Sequence, residues 1–192
     1  GCILRLTKRK VKMVFTIHTN FIRSRLRKLL IWLTKPFRRQ DIVFSADSRK
    51  WYNKGNSIII ENGIDVPLFQ QQKALPPEFT CLFLGRLEEA KNPLYLVDLM
   101  KQLNGKMNFK VRVAGEGQLL DELKERISAN QLEERFELLG FRKDAAELLK
   151  SSHCVLVPSL WEGMPLVVLE AGAAETPMLV TPVGSIPSIL NT

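Results

Sequence analysis

From residue 79 to residue 181, short apolar runs alternate with segments of helical period. The apolar runs predict strands at 79–84, 109–114, 136–139, 154–157 and 178–181. Between them, helices are predicted at 92–103, 119–130, 144–151 and 165–174. Strands that alternate with helices form a parallel sheet, and right-handed crossovers place all the strand carboxyl ends along one edge. We therefore expect a doubly wound α/β domain that binds its ligand at that edge.

The first third of the chain carries a less regular form of the same pattern. Strands are predicted at 11–17, where the last residue leads to His18, and near 41–48 and 58–65. Residues 67–78 are rich in Gln and Pro and are typical of a linker. We thus divide the chain into the end of an amino-terminal domain (1–66), a linker (67–78) and a second α/β domain (79–192). Because the sequence starts Gly-Cys-Ile and ends as a helix begins after Pro187, we expect both domains to be truncated.

Positive charge is concentrated at the amino-terminal end. Residues 1–40 contain 12 Lys or Arg and no Asp or Glu, whereas the rest of the chain is net acidic. Residues 21–37 have helical period, and Ile31 and Trp32 lie off the predicted core stripe. That stripe consists of Ile22, Leu26, Leu29, Leu30, Leu33 and Phe37. Residues 21–39 fit either contact with an anionic membrane or a solvated basic face over a core stripe. Nucleic acid is not expected, because no binding motif accompanies the charge.

Cysteines and metal-binding patterns exclude several classes of protein. Cys2, Cys81 and Cys154 are too widely spaced for a disulfide framework or a zinc site, which indicates a reducing, cytoplasmic compartment. No apolar run approaches the ~20 residues of a membrane span. The sequence Gly115-Glu-Gly has Leu120 where a dinucleotide fingerprint needs its third Gly, so a dehydrogenase is not supported. No Asp-x-Asp pair is present to bind Mg²⁺, and we expect no metal and no cofactor.

The segment 154–174 places two carboxylates around a strand-to-helix turn. The strand stops at Pro158, and Pro165 sits where helices accept Pro, at the first helical position. The first helical turn then presents the free N–H groups of Leu166, Val167 and Val168 to an anion such as a diphosphate. Glu162 lies in the loop, and Glu170 lies one and a half turns into the helix. Bound phosphates would repel a carboxylate, so a carboxylate beside them is better suited to accept hydrogen bonds from the neutral hydroxyl groups of a sugar or ribose.

Three segments carry a resemblance to a known family. The run from Glu162 to Glu170 resembles the E-x7-E motif of family 4 glycosyltransferases with the GT-B fold, which retain anomeric configuration and use nucleotide-sugar donors. The run Asn62-Gly-Ile-Asp resembles the hinge between the two GT-B domains of that family. Gly85-Arg86 followed by Lys91 resembles its donor diphosphate loop. The three occur in the family's order and spacing, so the resemblance implies a GT-B fold built from two Rossmann-like domains.

The resemblance also implies roles for individual residues. Arg86 and Lys91 stabilise the leaving diphosphate, Glu162 orients the donor sugar, and His18 faces the reacting centre, with Glu170 on the ribose. The implied donor-binding residues are Asn62, Gly63, Gly85, Gly115, Phe141, Gly163, Met164, Pro165, Leu166, Val167 and Glu170. In the segment Val183-Gly-Ser-Ile-Pro, Ser185 and Ser188 replace the Gly and Glu that are usual in the family.

The expected reaction transfers a sugar from a nucleoside diphosphate sugar to a glycan or lipid-linked acceptor, with retention. The expected setting is surface polysaccharide or glycolipid synthesis in the cytoplasm, peripheral on the cytoplasmic membrane face. Two alternatives stay open. One is a non-catalytic fragment that binds nucleotide sugars, because the family's first strands and closing helices are missing here. The other is a basic membrane- or nucleic-acid-binding module joined to an unrelated Rossmann-like domain.

Overall fold

The computed structural model describes residues 13–17, 24–43, 57–70, 74–103 and 106–190. The chain forms two compact units. The first comprises residues 1–62, 161–164 and 184–192, and the second comprises residues 63–160 and 165–183. The short segments 161–164 and 184–192 therefore belong with the amino-terminal residues, although the first lies within the alternating part of the sequence and the second follows it. The division into functional domains at 66 and 79 stays a prediction.

A small parallel sheet organises the first unit. Its strands are β1 (Val14–Ile17), β2 (Gln40–Val43) and β3 (Ser57–Ile59), in the order β1-β2-β3. Helix α1 (Arg25–Leu33) and a 3₁₀ turn at Lys35–Phe37 connect β1 to β2. Ser24 caps α1, and its side chain accepts a hydrogen bond from the Arg27 amide at 3.3 Å.

Five parallel strands form the sheet of the second unit. Its elements follow in chain order as β4 (Thr80–Leu84), α2 (Tyr95–Leu103), β5 (Lys110–Ala114), α3 (Leu120–Ala129), β6 (Phe136–Gly140), α4 (Ala145–Lys150), β7 (Cys154–Val157), α5 (Leu166–Ala173) and β8 (Met178–Val180). The strand order is β6-β5-β4-β7-β8. The doubly wound parallel sheet predicted from the alternation is thus confirmed. A last helix, α6 (Ile186–Leu190), belongs to the first unit.

The strand order creates a switch point between β4 and β7. From β4 the chain moves outward in one direction through β5 and β6, and from β7 it moves outward in the other direction to β8. Cys81 of β4 is the register partner of Cys154 of β7, and both are free thiols. In open α/β sheets, ligands bind outside the carboxyl ends of the strands at such a point. The loops that follow Leu84 and Val157 are therefore expected to form the ligand site.

The core of the second unit fixes these strands. Leu82 and Val155, on neighbouring central strands, are fully buried. One core cluster packs β4 and β5 against α2 and α3, through residues that include Phe83, Val113, Leu96, Met100 and Leu123. Each such side chain contributes about 1.5–3 kcal/mol through burial. The sheet edge that carries the loops is therefore held by a rigid frame.

The prediction of which face of the basic helix is buried is wrong. Most of the predicted core stripe is at least half exposed, with exposed fractions of 66% for Leu26, 50% for Leu29, 52% for Leu30 and 50% for Leu33. Ile31, predicted to lie off the stripe, instead packs against the buried Val43, as Ile59 does. Apolar residues occupy several faces of α1, so the period alone does not select the face that meets the sheet. Trp32 is 62% exposed, as expected.

Helix α2 starts later than the sequence predicted. Asn92 does not begin the helix but adopts the left-handed conformation, with φ 52° and ψ 50°, and ends a 3₁₀ turn at Glu89–Lys91. The residue before a proline is disfavoured in the right-handed helical region, and Pro93 follows Asn92. The chain therefore turns at Asn92, and α2 begins at Tyr95.

Candidate active site

The loops after β4 and β5 meet backbone to backbone. The Gly85 amide donates to the Ala114 carbonyl at 3.0 Å, and the Gly115 amide donates to the Gly140 carbonyl at 2.7 Å. A Cβ atom on Gly115 would lie 1.8 Å from the Gly85 carbonyl oxygen. Only glycine therefore fits at position 115. The two predicted donor-binding glycines lie together at the carboxyl edge of the sheet.

Lys91 and Arg86 bring positive charge to the same edge. The methylene groups of Lys91 pass Gly85, where they are 3.9 Å from the position of an added Cβ atom. The Arg86 side chain is 74% exposed and forms an ion pair with Glu88 at 2.9 Å. An exposed pair of this kind contributes little to stability, so the Arg86 guanidinium can exchange Glu88 for an anionic ligand at small cost.

Three hydrogen bonds hold the loop that leaves β7. The Asn92 side-chain amide donates to the Pro158 carbonyl at 3.2 Å. The Leu160 amide donates to the Ala90 carbonyl at 2.9 Å. The Thr181 hydroxyl donates to the Ser159 carbonyl at 2.5 Å. The loops on either side of the switch point are thus joined to each other and to the end of β8.

The amino-terminal turn of α5 differs in one detail from the prediction. Pro165 is the N-cap residue rather than the first helical residue, with φ −74° and ψ 118°. The Val168 amide is not free, because it donates to the Pro165 carbonyl at 3.3 Å. The anion site predicted from three amides therefore reduces to those of Leu166 and Val167, which have no intrahelical acceptor.

Glu170 is a half-buried carboxyl group on α5. Burial raises the pKa of its carboxyl group above the ordinary value, and no other cause contributes to the shift. A carboxylate that is removed from water gains more than an exposed one from accepting a hydrogen bond. Glu170 is therefore suited to accept hydrogen bonds from ligand hydroxyl groups.

Glu162 lies in the first unit, on a loop that the backbone holds closely. Glu162 is 8% exposed. The Asn62 side-chain amide donates to the Met164 carbonyl at 3.3 Å, and the Asn62 backbone amide donates to the Met164 sulfur at 3.1 Å. The structure thus joins the Asn62-Gly and Glu162-Gly-Met segments, which sequence analysis assigned separately. The two carboxylates of the motif, Glu162 and Glu170, belong to different compact units.

Aromatic and imidazole groups complete the set of predicted residues. Phe141, directly after β6, is 65% exposed, as a residue that contacts a ligand ring can be. His153 is structural: its Nδ1 accepts from the Thr80 amide at 3.1 Å and its ring stacks on Phe79. His18 lies outside the described residues. Within those residues, no group of three or more His, Cys, Asp or Glu side chains could hold a metal ion.

An apolar groove of about 280 Å³ lies beside Asn92 in the second unit. Its walls include Tyr95, Leu99, Leu160 and Leu179. No charged side chain lines the groove, so it is a poor match for a diphosphate, which requires cations or free amides. The glycine loops and the start of α5 remain the better candidate for donor binding.

Comparison with known sequences identifies the family. The profile of the family described as "Glycosyl transferases group 1" matches residues 66–192. The chain belongs to the group 1 glycosyltransferases. It is 36% identical over 138 residues to the UDP-Gal:α-D-GlcNAc-diphosphoundecaprenol α-1,3-galactosyltransferase of Escherichia coli, a match that covers 64% of this chain and 36% of the enzyme.

A second relative is an N-acetylgalactosaminyltransferase of Campylobacter jejuni whose name also specifies a diphospho-undecaprenol acceptor. It is 32% identical over 144 residues, which cover 74% of this chain and 38% of the relative. The chain spans about a third of the length of the curated relatives that it matches.

Solved structures show the same fold. Anabaena HepE in complex with UDP and glucose has a TM-score of 0.84 and 21% identity, covering 98% of this chain and 57% of that one. Sucrose-phosphate synthase from Thermosynechococcus elongatus has a TM-score of 0.76 and 21% identity, covering 94% and 53% of the two chains. These likenesses confirm the GT-B type fold expected from the sequence.

Proposed function

We propose that this group 1 glycosyltransferase chain belongs to an enzyme that transfers a hexosyl group from a UDP-sugar to a lipid-linked glycan, with retention at the anomeric carbon. The observation that carries the proposal is the carboxyl edge of the second sheet. There Gly115 permits the close approach of two loops, Lys91 and Arg86 supply cations, and α5 begins with two amides that have no acceptor within the helix. These groups match the charge and shape of a nucleoside diphosphate.

Each proposed role follows from the chemistry of its side chain. Arg86 and Lys91 stabilise the charge that develops on the departing diphosphate, so no metal is required. Glu170 accepts hydrogen bonds from the ribose hydroxyl groups, which replace the hydration that its half-buried carboxylate has lost. Glu162 accepts hydrogen bonds from the donor sugar, and the proposed role of His18 beside the reacting centre rests on the family resemblance alone.

The proposed base and acceptor rest on the relatives. HepE was solved with UDP, and the Escherichia coli and Campylobacter jejuni relatives are named for diphosphoundecaprenol acceptors. Both relatives are also named for transfer of a hexose or a hexosamine, which supports the hexosyl type. Synthesis of a surface polysaccharide or glycolipid at the cytoplasmic side of a membrane is the setting that we propose.

A thermal-shift screen of nucleoside diphosphates and their sugars tests the donor. Binding to the native state alone raises the unfolding temperature, and a ligand at 100 times its Kd contributes about 2.7 kcal/mol. We expect UDP and UDP-sugars to stabilise the chain more than the GDP and ADP series. Glu170→Gln should weaken UDP itself, because the ribose belongs to both ligands. Equal stabilisation by all the nucleotides, or by none, would contradict the proposal.

Transfer of radiolabelled sugar from UDP-sugar to a polyprenyl diphosphate glycan separates an enzyme from a non-catalytic binding fragment. The anomeric configuration of the new glycosidic bond, compared with that of the donor, then tests retention. A chain that binds UDP-sugar tightly but gives no transfer and no donor hydrolysis would support the binding-fragment alternative. An inverted product would reject the retaining mechanism and leave the donor assignment intact.

We further propose that α1 contacts an anionic membrane, which would suit a lipid-linked acceptor. Leu26, Leu30 and Trp32 are more than half exposed. The same short helix carries Arg25, Arg27 and Lys28, and residues 24–39 contain no acidic side chain. Each basic residue near an anionic surface contributes about 1 kcal/mol. In the part of the chain that the structure describes, no helix is both long and apolar enough to cross a bilayer.

Vesicle sedimentation tests this contact. Binding should require anionic lipid and weaken as added salt screens the charges. Changing Arg25, Arg27 and Lys28 together to Gln should release the chain from the vesicles. The matched control makes the same change in charge at exposed positions of the second unit, Lys101, Lys106 and Lys143. Equal loss in both variants would indicate a nonspecific effect of net charge, and no binding at low salt would reject the contact.

A further inference from the structure

The loop that carries Glu162 is held by the segment 184–185, which lies 22 residues further along the chain. The Ser185 hydroxyl donates to the Gly163 carbonyl at 2.8 Å, and the Ser185 amide donates to the same oxygen at 3.1 Å. Ser185 is 4% exposed. A serine in front of a helix commonly accepts a hydrogen bond from that helix. Here the hydroxyl hydrogen is directed to the Gly163 carbonyl.

Gly184 contributes to the same contact. It has φ +62°, and a Cβ atom at this position would lie 2.4 Å from the Glu162 carbonyl oxygen. The backbone of residue 184 therefore lies directly against the backbone of Glu162. At the end of the same segment, Asn62 donates hydrogen bonds to the carbonyl oxygen and the sulfur of Met164. Three consecutive residues, 162–164, are thus each in contact with another segment of the first unit.

We propose that Ser185 is a positioning residue, whose buried hydroxyl group fixes the Gly163 carbonyl and thereby sets the direction of the Glu162 carboxylate. The inference rests on the proposed function, in which Glu162 accepts hydrogen bonds from the donor sugar. A loop peptide with a single remaining hydrogen bond rotates more freely than one with two. Small displacements of a group that contacts the reacting part of a substrate are costly. Ser185 acts on the sugar and has no role in binding the nucleotide.

The difference in affinity between UDP-glucose and UDP measures this effect without requiring turnover. Ser185→Ala should weaken binding of UDP-glucose about fivefold, because Glu162 is then held less well in the position that contacts the sugar, and leave the Kd of UDP unchanged. Calorimetric titration of the purified chain with both ligands gives the two values. Ser185→Gly, which places the family's usual residue here, should behave like Ser185→Ala.

The matched control is Ser152→Ala. The Ser152 hydroxyl is also buried and donates to a carbonyl, that of Leu148, at 2.7 Å. Ser152 precedes β7, at the amino end of the strands and away from the proposed site. Its loss should lower the thermal stability to a similar degree as Ser185→Ala without changing either Kd. A fall in UDP-glucose affinity in both variants would show that general destabilisation is sufficient, and would overturn the inference.

A double-mutant cycle with Glu162→Gln decides whether Ser185 acts through Glu162. In the Glu162→Gln background, Ser185→Ala should cause no further loss of UDP-glucose affinity, because residues that act as a unit are not additive. Additive losses, or an unchanged affinity in Ser185→Ala alone, would overturn the inference while the donor assignment stands. If the unmodified chain binds neither UDP nor UDP-glucose, the proposed function fails first and the inference with it.

Discussion

Replacement of Asn92 tests the conformation that joins the loops at the switch point. Asn92 has φ 52°, and its side chain donates to the Pro158 carbonyl at 3.2 Å. Asn92→Ala removes that hydrogen bond, which contributes about 1 kcal/mol. It also forces a residue with Cβ but no local polar group into the left-handed region, at about 1–2 kcal/mol. We therefore expect the free energy of unfolding to fall by about 2–3 kcal/mol.

Asn92→Gly separates the two contributions. Glycine adopts the left-handed conformation without steric cost, so only the hydrogen bond is lost, and the free energy of unfolding should fall by about 1 kcal/mol. The control is Asn130→Ala. The Asn130 side chain donates to the Arg126 carbonyl at 2.7 Å, but its φ is −107°, so the replaced residue is not itself in the left-handed region. That variant should lose no more than about 1 kcal/mol.

Urea unfolding followed by far-UV circular dichroism measures all three variants. The midpoint should shift while the slope of the free energy against urea concentration stays constant, as it does when the folded and unfolded states keep their exposed surfaces. If Asn92→Gly were as destabilising as Asn92→Ala, the left-handed conformation would not be the source of the extra cost.

Three further predictions concern charged groups. Because burial raises the pKa of Glu170, the native state holds its proton more tightly than the unfolded chain, and this contribution to stability is lost as pH rises from about 4.5 through the raised value. Glu170→Gln should therefore match the wild type in stability below that pH window and be more stable than the wild type above it. A difference in unfolding temperature between the two proteins that does not change with pH would contradict this. Asp41→Ala leaves Arg38 buried without its carboxylate and should cost about 3–5 kcal/mol in urea unfolding, whereas combining Arg38→Met with Asp41→Leu should cost less; the reverse order would refute the argument. Arg86→Ala or Lys91→Ala should lower turnover in the sugar-transfer assay about 10²-fold, and wild-type rates in both would remove the pair from the mechanism.

The sequence predicted the second unit well because its signals are local. The run 154–157 is apolar and ends at a proline, and the structure has β7 at those residues. Gly85 and Gly115 follow strands and lie together because parallel strands end at the same edge. The order β6-β5-β4-β7-β8 could not be predicted in this way, because the right-handed crossover rule leaves several pairings of the same strands open.

Local sequence patterns did not predict the contacts of the first unit. The period of α1 gives a stripe of leucines, but the side chain that meets the sheet is Ile31, and that choice depends on where Val43 lies. The bond from Asn62 to Met164 joins residues 102 positions apart. Ser185 departs from the family's glycine, and a departure of this kind is the only signal that could have indicated its bond to Gly163. Contacts between distant segments leave no period in the sequence.

The approach of Gly115 to Gly85 has a consequence for how sequences of this kind can change. With 1.8 Å between a Cβ atom and the Gly85 carbonyl oxygen, no other residue can occupy position 115 unless two strands move apart. In a saturation library selected for folded protein, position 115 should therefore return glycine alone, whatever the nucleotide or sugar in the medium. Position 141, where Phe141 is exposed, should accept many residue types once selection for ligand binding is removed. Comparing the two positions would separate residues required by the fold from residues required by the ligand.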